Sequence, residues 1–124
     1  MDTRQCAISG SELRALAERL REFASARDWE QFHAPKNLAM ALAVEAAELM
    51  EPFQWRSAQD SAQLEEATLQ AVGLELADVL LYTVRLADRL GIDLHAAAWR
   101  KIEINEQRYP ADRARGHHRK YTEL

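Results

Sequence analysis

Two pairs of acidic side chains stand at helical spacing in segments that are otherwise apolar. Glu45 and Glu48 lie three residues apart in VEAAELMEPFQW, and Glu75 and Asp78 lie three apart in GLELADVLLY. Residues three apart share one face of an α-helix, so each pair points in one direction. Four carboxylates converging from two helices would repel one another strongly unless a positive charge lay between them. The spacing therefore predicts a site for a divalent cation, shared by two helices.

The oxygen-only ligand set favours Mg²⁺, for which Mn²⁺ can substitute. Mg²⁺ takes oxygen ligands in octahedral geometry and keeps waters, which leaves positions for the phosphate oxygens of a substrate. A di-iron bundle would need Glu-x-x-His motifs on two helices, and Glu30 with His33 is a single match in a loop before Pro35. Glu51, directly before Pro52, is left open as a surface group, a supporting group or an auxiliary ligand.

An isolated E-x-x-E motif is more often a solvated helix face than a metal site. A non-catalytic helical interaction module, whose acids are only surface charge, is therefore an alternative to an enzyme. The recurrence of the acidic pair in a second apolar segment favours the metal site.

Four helical segments position these acids, and no alternating strand pattern lies between them. They are predicted at about 11–26, 37–52, 64–90 and 94–109. Ser9 with Glu12 matches a capping box, Asn37 is the expected N-cap of the second helix, and Asp93 that of the fourth. Gly91 is expected to end the third helix.

The predicted fold is all-α, a compact four-helix bundle with short links. Residues 1–10 are expected to form an N-terminal tail, residues 11–110 the helical domain, and residues 111–124 a basic, irregular C-terminal tail.

Length and charge restrict the class of protein further. A chain of 124 residues with 48% hydrophobic and 29% charged residues is typical of one globular domain. Its formal net charge of -4 gives no reason to expect a nucleic acid polymer or an anionic membrane as partner. Cys6 is the only cysteine, so an internal disulfide and a cysteine-based zinc site are excluded. With no signal-peptide pattern at the N-terminus, a cytoplasmic protein is expected.

The motifs RDWEQFHAPKNL, EAAELMEPFQW, ELADVLLY, INEQRYP and RKYTEL resemble one family over residues 11–124. The chain is similar to the MazG-like all-α nucleoside triphosphate pyrophosphohydrolases, and within them to the dCTP pyrophosphatase branch. The resemblance implies Mg²⁺-dependent cleavage of a deoxynucleoside triphosphate into monophosphate and pyrophosphate, for nucleotide pool balance or sanitation. It implies the four acids as catalytic metal ligands. It also implies a homotetramer built as a dimer of dimers, with sites that draw on more than one subunit.

The same resemblance assigns nucleoside and substrate contacts to seven residues: Trp29, Glu30, Gln31, Phe32, His33, Trp55 and Tyr82. Independent reasoning supports part of this set. Tyr82 follows Glu75 by two helical turns and so shares its face. Aromatic side chains in loops can stack on a nucleobase, although they also often pack into the hydrophobic core.

The fourth helix carries a polar stripe with Lys101, Asn105 and Arg108 at steps of four and three. This stripe is either a solvated face or a clamp for the triphosphate, in which Arg acts as a bidentate fork. Lys120 and Tyr121 in the tail are expected to close over the phosphates, from this subunit or a neighbouring one.

The chain departs from the family pattern at Leu20. The animal enzymes of the branch carry a base-contacting histidine at the matching position, and leucine offers no hydrogen bond. The preference among dCTP, modified cytosine nucleotides, dUTP and a broad substrate range is therefore left open. Leu74 also replaces an acid that often precedes the second motif, but that acid is not an expected ligand.

Overall fold

A computed structural model describes residues 10–124, and every regular element in that range is helical. The helices are α1 (Gly10–Ala26), α2 (Pro35–Met50), α3 (Ala58–Ser61), α4 (Glu66–Leu90), α5 (Leu94–Arg108) and α6 (Ala111–Ala114). Single 3-10 turns lie at Glu30–Phe32 and Tyr121–Glu123. The four long helices confirm the all-α prediction. The capping box of Ser9 and Glu12 lies partly outside the described residues, because Ser9 precedes them.

The link between α4 and α5 forms as the sequence predicts. Gly91 adopts the left-handed conformation with φ of 68° and ends α4. The Asp93 side chain then accepts a hydrogen bond of 3.0 Å from the Ala96 backbone N–H, which caps the first turn of α5. Both signals act within one turn of the chain, so the local sequence suffices to specify them.

The prediction that Asn37 caps α2 was wrong. The helix begins two residues earlier, with Ala34 as the extended N-cap residue and Pro35 in the first turn. Proline suits that position because its fixed φ is helical and its missing N–H would have no partner there. Asn37 instead donates from Nδ2 to the Phe32 carbonyl oxygen at 3.2 Å, which holds the preceding 3-10 turn against α2.

The tail predicted as irregular contains α6 and the final 3-10 turn, and it returns to the end of α5. The Tyr121 ring packs edge-on against the Tyr109 ring, with centroids 6.0 Å apart. The Arg108 guanidinium lies 4.6 Å over the same Tyr121 ring. These contacts place Lys120 and Tyr121 beside the C-terminal end of the stripe on α5.

Helix packing centres on α4. α2 makes its most extensive contact with α4, while α1 packs against both α4 and α5. Within residues 10–124 the buried apolar residues are mostly small: Ala17, Ala24, Leu38, Val72, Val84 and Ala87. Only Leu38 among them is a large side chain that is almost fully enclosed, at 1% exposure. Large apolar side chains therefore contribute little to the buried core formed by the described residues.

Large apolar side chains are instead exposed on α2 and α4. Met40 and Val44 stand one turn apart on α2, and Leu69 and Leu76 stand two turns apart on α4. Exposed apolar faces of this kind usually mark surfaces that associate with another molecule. α4 is also long and apolar enough to cross a membrane by length and composition alone, a test that the central helix of a soluble protein passes equally.

Alanine substitutions at Gly91, which follows α4, and at Gly73 within α4 should change the free energy of unfolding in opposite directions. Replacing Gly91 with alanine forces a Cβ into a backbone with φ of 68°, which should destabilise the fold by about 1 kcal/mol. Gly73 lies inside the helix with nothing within 4 Å of an added Cβ, so Gly73→Ala should stabilise by about 0.5–1 kcal/mol. Chemical denaturation of the two variants checks both signs, and equal shifts in one direction would contradict the assignment of Gly91 as the helix end.

Candidate functional site

The packing of α2 on α4 brings three of the four predicted acids together. One carboxylate oxygen from each of Glu45, Glu48 and Glu75 lies within 4.8 Å of the other two. Glu45 and Glu48 come from successive turns of α2, and Glu75 comes from the facing turn of α4. We call these three residues the acid cluster.

The acid cluster lacks a compensating positive charge among residues 10–124. Glu45 Oε2 and Glu75 Oε2 are buried and have no hydrogen-bond partner in that range. Burial raises the pKa of Glu45, and the neighbouring Glu48, Asp78 and Glu75 carboxylates raise it further. Burial raises the pKa of Glu75 as well, with added repulsion from Glu48 and Asp78. This arrangement of carboxylates is therefore more favourable with a cation bound than in the metal-free protein.

Asp78 stands between the acid cluster and a cavity. It is close enough to raise the pKa of both Glu45 and Glu75, although its carboxylate lies outside the tight group of three. Asp78 also lines an open cavity of about 640 Å³ whose walls are formed by α1, the loop after α1, and α4. The volume is in the range of small-molecule sites.

Apolar and aromatic side chains make up most of the cavity wall. Its lining residues are Arg19, Leu20, Glu22, Phe23, Ala26, Arg27, Trp29, His33, Asp78, Leu81, Tyr82 and Arg85. The Trp29 ring packs edge-on against Phe23 at 5.5 Å and against His33 at 6.4 Å. Trp29, His33, Asp78 and Tyr82 are thus four predicted site residues that the fold brings to one cavity.

The other predicted residues of the loop shape it rather than line the cavity. Gln31 donates from Nε2 to the Asp28 carbonyl oxygen at 3.0 Å and to its Oδ2 at 3.2 Å. Asp28 has a φ of 54°, and this hydrogen bonding supports the unusual backbone. Phe32 accepts from Asn37 through its carbonyl oxygen, and its ring is exposed. Glu30 lies near His33 and Arg85; burial lowers the pKa of both groups, and the Glu30 charge opposes that lowering only in part.

Several predicted contacts stand apart from the cavity and the acid cluster within one chain. Trp55 is 90% exposed in the turn after α2. The stripe on α5 is exposed to solvent, and α5 packs mainly on α1 rather than on the two helices that carry the acids. These residues line neither the cavity nor the acid cluster: Trp55, Lys101, Asn105, Arg108, Lys120 and Tyr121. Their roles stay predictions.

Sequence reasoning missed Arg85, which is buried at 4% exposure and lines the cavity. A signal for it was present. Asp78, Tyr82 and Arg85 follow Glu75 at steps of three, four and three, so all four share one face of α4. A buried arginine on the functional face of an apolar helix needs partners, and its spacing alone does not name them.

A model of the MazG-like family matches residues 40–124, which include both acidic pairs and all of α4 and α5. The chain belongs to the MazG-like family. This confirms the resemblance on which the expected site residues were based.

Two curated relatives and one solved structure show how similar the chain is to other proteins. The chain is 51% identical over 108 residues to dCTP pyrophosphatase 1 of Homo sapiens, and 45% identical to that of Bos taurus. Each match covers 83% of this chain and 62% of the relative, so the chain spans less than two thirds of their length. A pyrophosphatase structure from Archaeoglobus fulgidus matches with a TM-score of 0.74 and 43% identity, covering 78% of this chain and 91% of the other.

The raised pKa values predict an unusual pH dependence of stability without metal. Between the ordinary glutamate pKa of 4.5 and the raised folded values, the native state binds more protons than the unfolded state. Stability should therefore fall as pH rises through that window. Glu75→Gln should raise the melting temperature of the metal-free protein at pH 7 and flatten this dependence.

The exposed acid Glu106 on α5 provides a matched control, because Glu106→Gln removes one charge away from the acid cluster. Melting temperatures of both variants and the parent, measured from pH 4 to pH 8 in chelator, check the assignment. A loss of stability in Glu75→Gln at pH 7 would show that the buried carboxylate is satisfied in the native state.

Proposed function

We propose that this chain is a Mg²⁺-dependent nucleoside triphosphate pyrophosphohydrolase that acts on dCTP or a closely related deoxynucleotide. The observation that carries the proposal is the position of Asp78, which borders both the acid cluster and the cavity. A nucleoside in the cavity would place its phosphates toward the acids. The proposal agrees with the similarity of the chain to dCTP pyrophosphatase 1 of Homo sapiens and Rattus norvegicus.

The acid cluster and Asp78 have the donor chemistry that a hard divalent cation requires. The unpaired buried oxygens of Glu45 and Glu75 supply negative charge that no described side chain neutralises. Glu45, Glu48, Glu75 and Asp78 would hold Mg²⁺, or Mn²⁺ in its place, because both ions prefer oxygen ligands. When bound, the ion neutralises the phosphate oxygens and lowers the pKa of water.

The side chains of this chain account for the remaining requirements of the reaction. Water attacks the α-phosphorus, its proton passes to a carboxylate, and the bond from that phosphorus to the bridging oxygen breaks to release pyrophosphate. Glu48 and Glu51 are both candidates for the proton acceptor. Trp29 and Tyr82 on the cavity wall orient the nucleoside, which fixes the α-phosphorus relative to the acids.

A related candidate is a pyrophosphohydrolase with another base preference. Leu20 lines the cavity and presents only an apolar surface to the base, at the position where the animal enzymes of this branch are expected to carry histidine. A panel of dCTP, 5-methyl-dCTP, dUTP, dTTP and dATP with pyrophosphate detection distinguishes a cytosine-specific enzyme from a broad one.

Assembly into a homotetramer, a dimer of dimers in the cytoplasm, completes the proposal. Exposed apolar side chains lie on α2 and α4, the two helices that carry the acids. A second copy packed there would bury these faces and would bring exposed residues such as Trp55 toward a neighbouring site. The stripe on α5 and the tail, with Lys101, Arg108 and Lys120, would supply positive charge to the triphosphate in the same way.

Removing a single ligand should abolish turnover while sparing the fold. Glu48→Gln and Asp78→Asn keep side-chain volume but remove negative charge from the cation site. We expect kcat/KM for dCTP to fall by about a hundredfold or more, because metal charge stabilisation is worth several kcal/mol. Pyrophosphate release and the Mg²⁺-induced rise in melting temperature should be lost together.

Glu106→Gln serves again as the control and should retain the parent rate. Robust Mg²⁺-dependent release of pyrophosphate by Asp78→Asn would contradict the proposed site. Release of inorganic phosphate in place of pyrophosphate would contradict the proposed bond cleavage.

Subunit mixing tests whether Trp55 serves a neighbouring site. Trp55→Ala should weaken dCTP turnover by about tenfold or more through loss of base stacking. If Trp55 acts across an interface, hybrids of Trp55→Ala and Asp78→Asn subunits contain sites with an intact Asp78 and an intact Trp55. Mixed and refolded oligomers should then exceed the summed activity of the two parents. Activity equal to that sum would place Trp55 in the site of its own chain, or outside the site altogether.

A further inference from the structure

Arg85 is a buried cation with an unused hydrogen-bonding group beside the cavity. Its Nε donates to His33 Nδ1 at 3.1 Å, and its Nη1 lies 3.6 Å from Asp88 Oδ2. Its Nη2 is buried and has no hydrogen-bond partner within residues 10–124. An unsatisfied donor on a buried charged group is costly, so this nitrogen calls for an acceptor from outside the described chain.

The covalent geometry of guanidinium shows where Nη2 is directed. The N–H of Nε and one N–H of Nη2 point in parallel, as in the fork that binds carboxylates bidentately. Since Nε points at the His33 ring, Nη2 points along the same side. Asp88 lies at the opposite end, where it also receives both hydrogen bonds from Arg21, at 2.6 and 2.7 Å. Arg85 and His33 both line the cavity, and Nη2 itself is closed off from solvent, so an acceptor that reaches it must enter the cavity wall beside these two side chains.

The contact with Arg85 also fixes the tautomer of His33. Arginine is always charged and can only donate, so Nδ1 must accept and the ring proton must sit on Nε2. Burial lowers the pKa of His33, and the charges of Arg85 and Arg89 lower it further, which keeps the ring neutral. His33 therefore presents an N–H donor, not an acceptor, from its other nitrogen.

We propose that Arg85 determines base specificity. It donates a hydrogen bond to an acceptor on the base and holds His33 in the tautomer that supplies a second donor. The inference rests on the proposed function, because it assigns the base to this cavity. Cytosine presents two adjacent acceptors, N3 and O2, which match donors. Uracil and thymine carry a proton on N3, which would face the guanidinium unfavourably. The pair therefore selects a cytosine over the other pyrimidines.

The main test compares dCTP with dUTP in Arg85→Met and Arg89→Met. Methionine fills the volume of Arg85 without a donor, and Asp88 keeps its bidentate contact with Arg21. Arg89 is the matched control because it is exposed and donates from Nε to the His33 carbonyl oxygen, not to the ring. We expect Arg85→Met to reduce the ratio of kcat/KM for dCTP over dUTP by about tenfold or more, mainly through KM, while Arg89→Met keeps the parent ratio.

A spectroscopic measurement separates this role from a merely structural one. Long-range ¹H–¹⁵N correlation spectra of the parent should show His33 with unprotonated Nδ1 and protonated Nε2 at neutral pH. In Arg85→Met the Nδ1 resonance should move toward a tautomeric average, whereas Arg89→Met, which removes no contact with the ring, should keep the proton on Nε2. A parent His33 protonated on Nδ1 would overturn the inference.

The outcomes also distinguish this inference from the proposed function. Pyrophosphate release from dCTP by the parent, with an unchanged dCTP preference in Arg85→Met, would overturn the role of Arg85 alone. Equal kcat/KM of the parent for dCTP and dUTP would also overturn the role of Arg85 alone. A parent that releases no pyrophosphate from any deoxynucleotide would overturn both proposals.

Discussion

Repulsion among partly buried carboxylates is the constraint on which the rest of this structure depends. Glu45, Glu48 and Glu75 are held within 4.8 Å of one another on the two helices that pack most extensively. Buried oxygens of like charge disfavour that packing unless a cation compensates them. The protein thus retains an arrangement that costs stability in its metal-free form. Such a cost is typical of sites that are organised before their ligand binds.

α4 joins this acidic site to the cavity because one of its faces carries polar groups in a fixed order. Glu75 belongs to the acid cluster, Asp78 borders both regions, Tyr82 lines the cavity, and Arg85 binds His33 from the loop after α1. Along the helix, negative charge therefore gives way to an aromatic group and then to positive charge. A nucleotide has the complementary order, with phosphates for the cation site at one end and a base with hydrogen-bonding groups at the other.

The single chain leaves much of its apolar surface uncovered. Its buried apolar residues are mostly alanine and valine, whereas large side chains such as Met40, Val44 and Leu76 are exposed. The same chain leaves Trp55 and the basic stripe on α5 outside the cavity. One physical event, association of copies through these faces, would account for both observations.

The sequence by itself determined what depends on neighbours within a few turns. Helical periodicity placed Glu45 with Glu48 and Glu75 with Asp78, and it placed Tyr82 on the same face. Gly91 and Asp93 marked a helix end and a helix start through contacts with residues at most a few positions away. Asn37 was assigned wrongly because a local preference for caps competed with a proline two residues earlier.

Only the tertiary structure decided which of these faces meet. The contact of Arg85 with His33 joins residues 52 positions apart, and no pattern along the chain specifies it. The cavity likewise depends on α1, a loop and α4 coming together, so its wall of Leu20, Phe23 and Trp29 is a product of packing. Periodicity fixes the direction of a side chain on its own helix. Its partners and its burial depend on contacts with residues far away in the chain, which local periodicity does not specify.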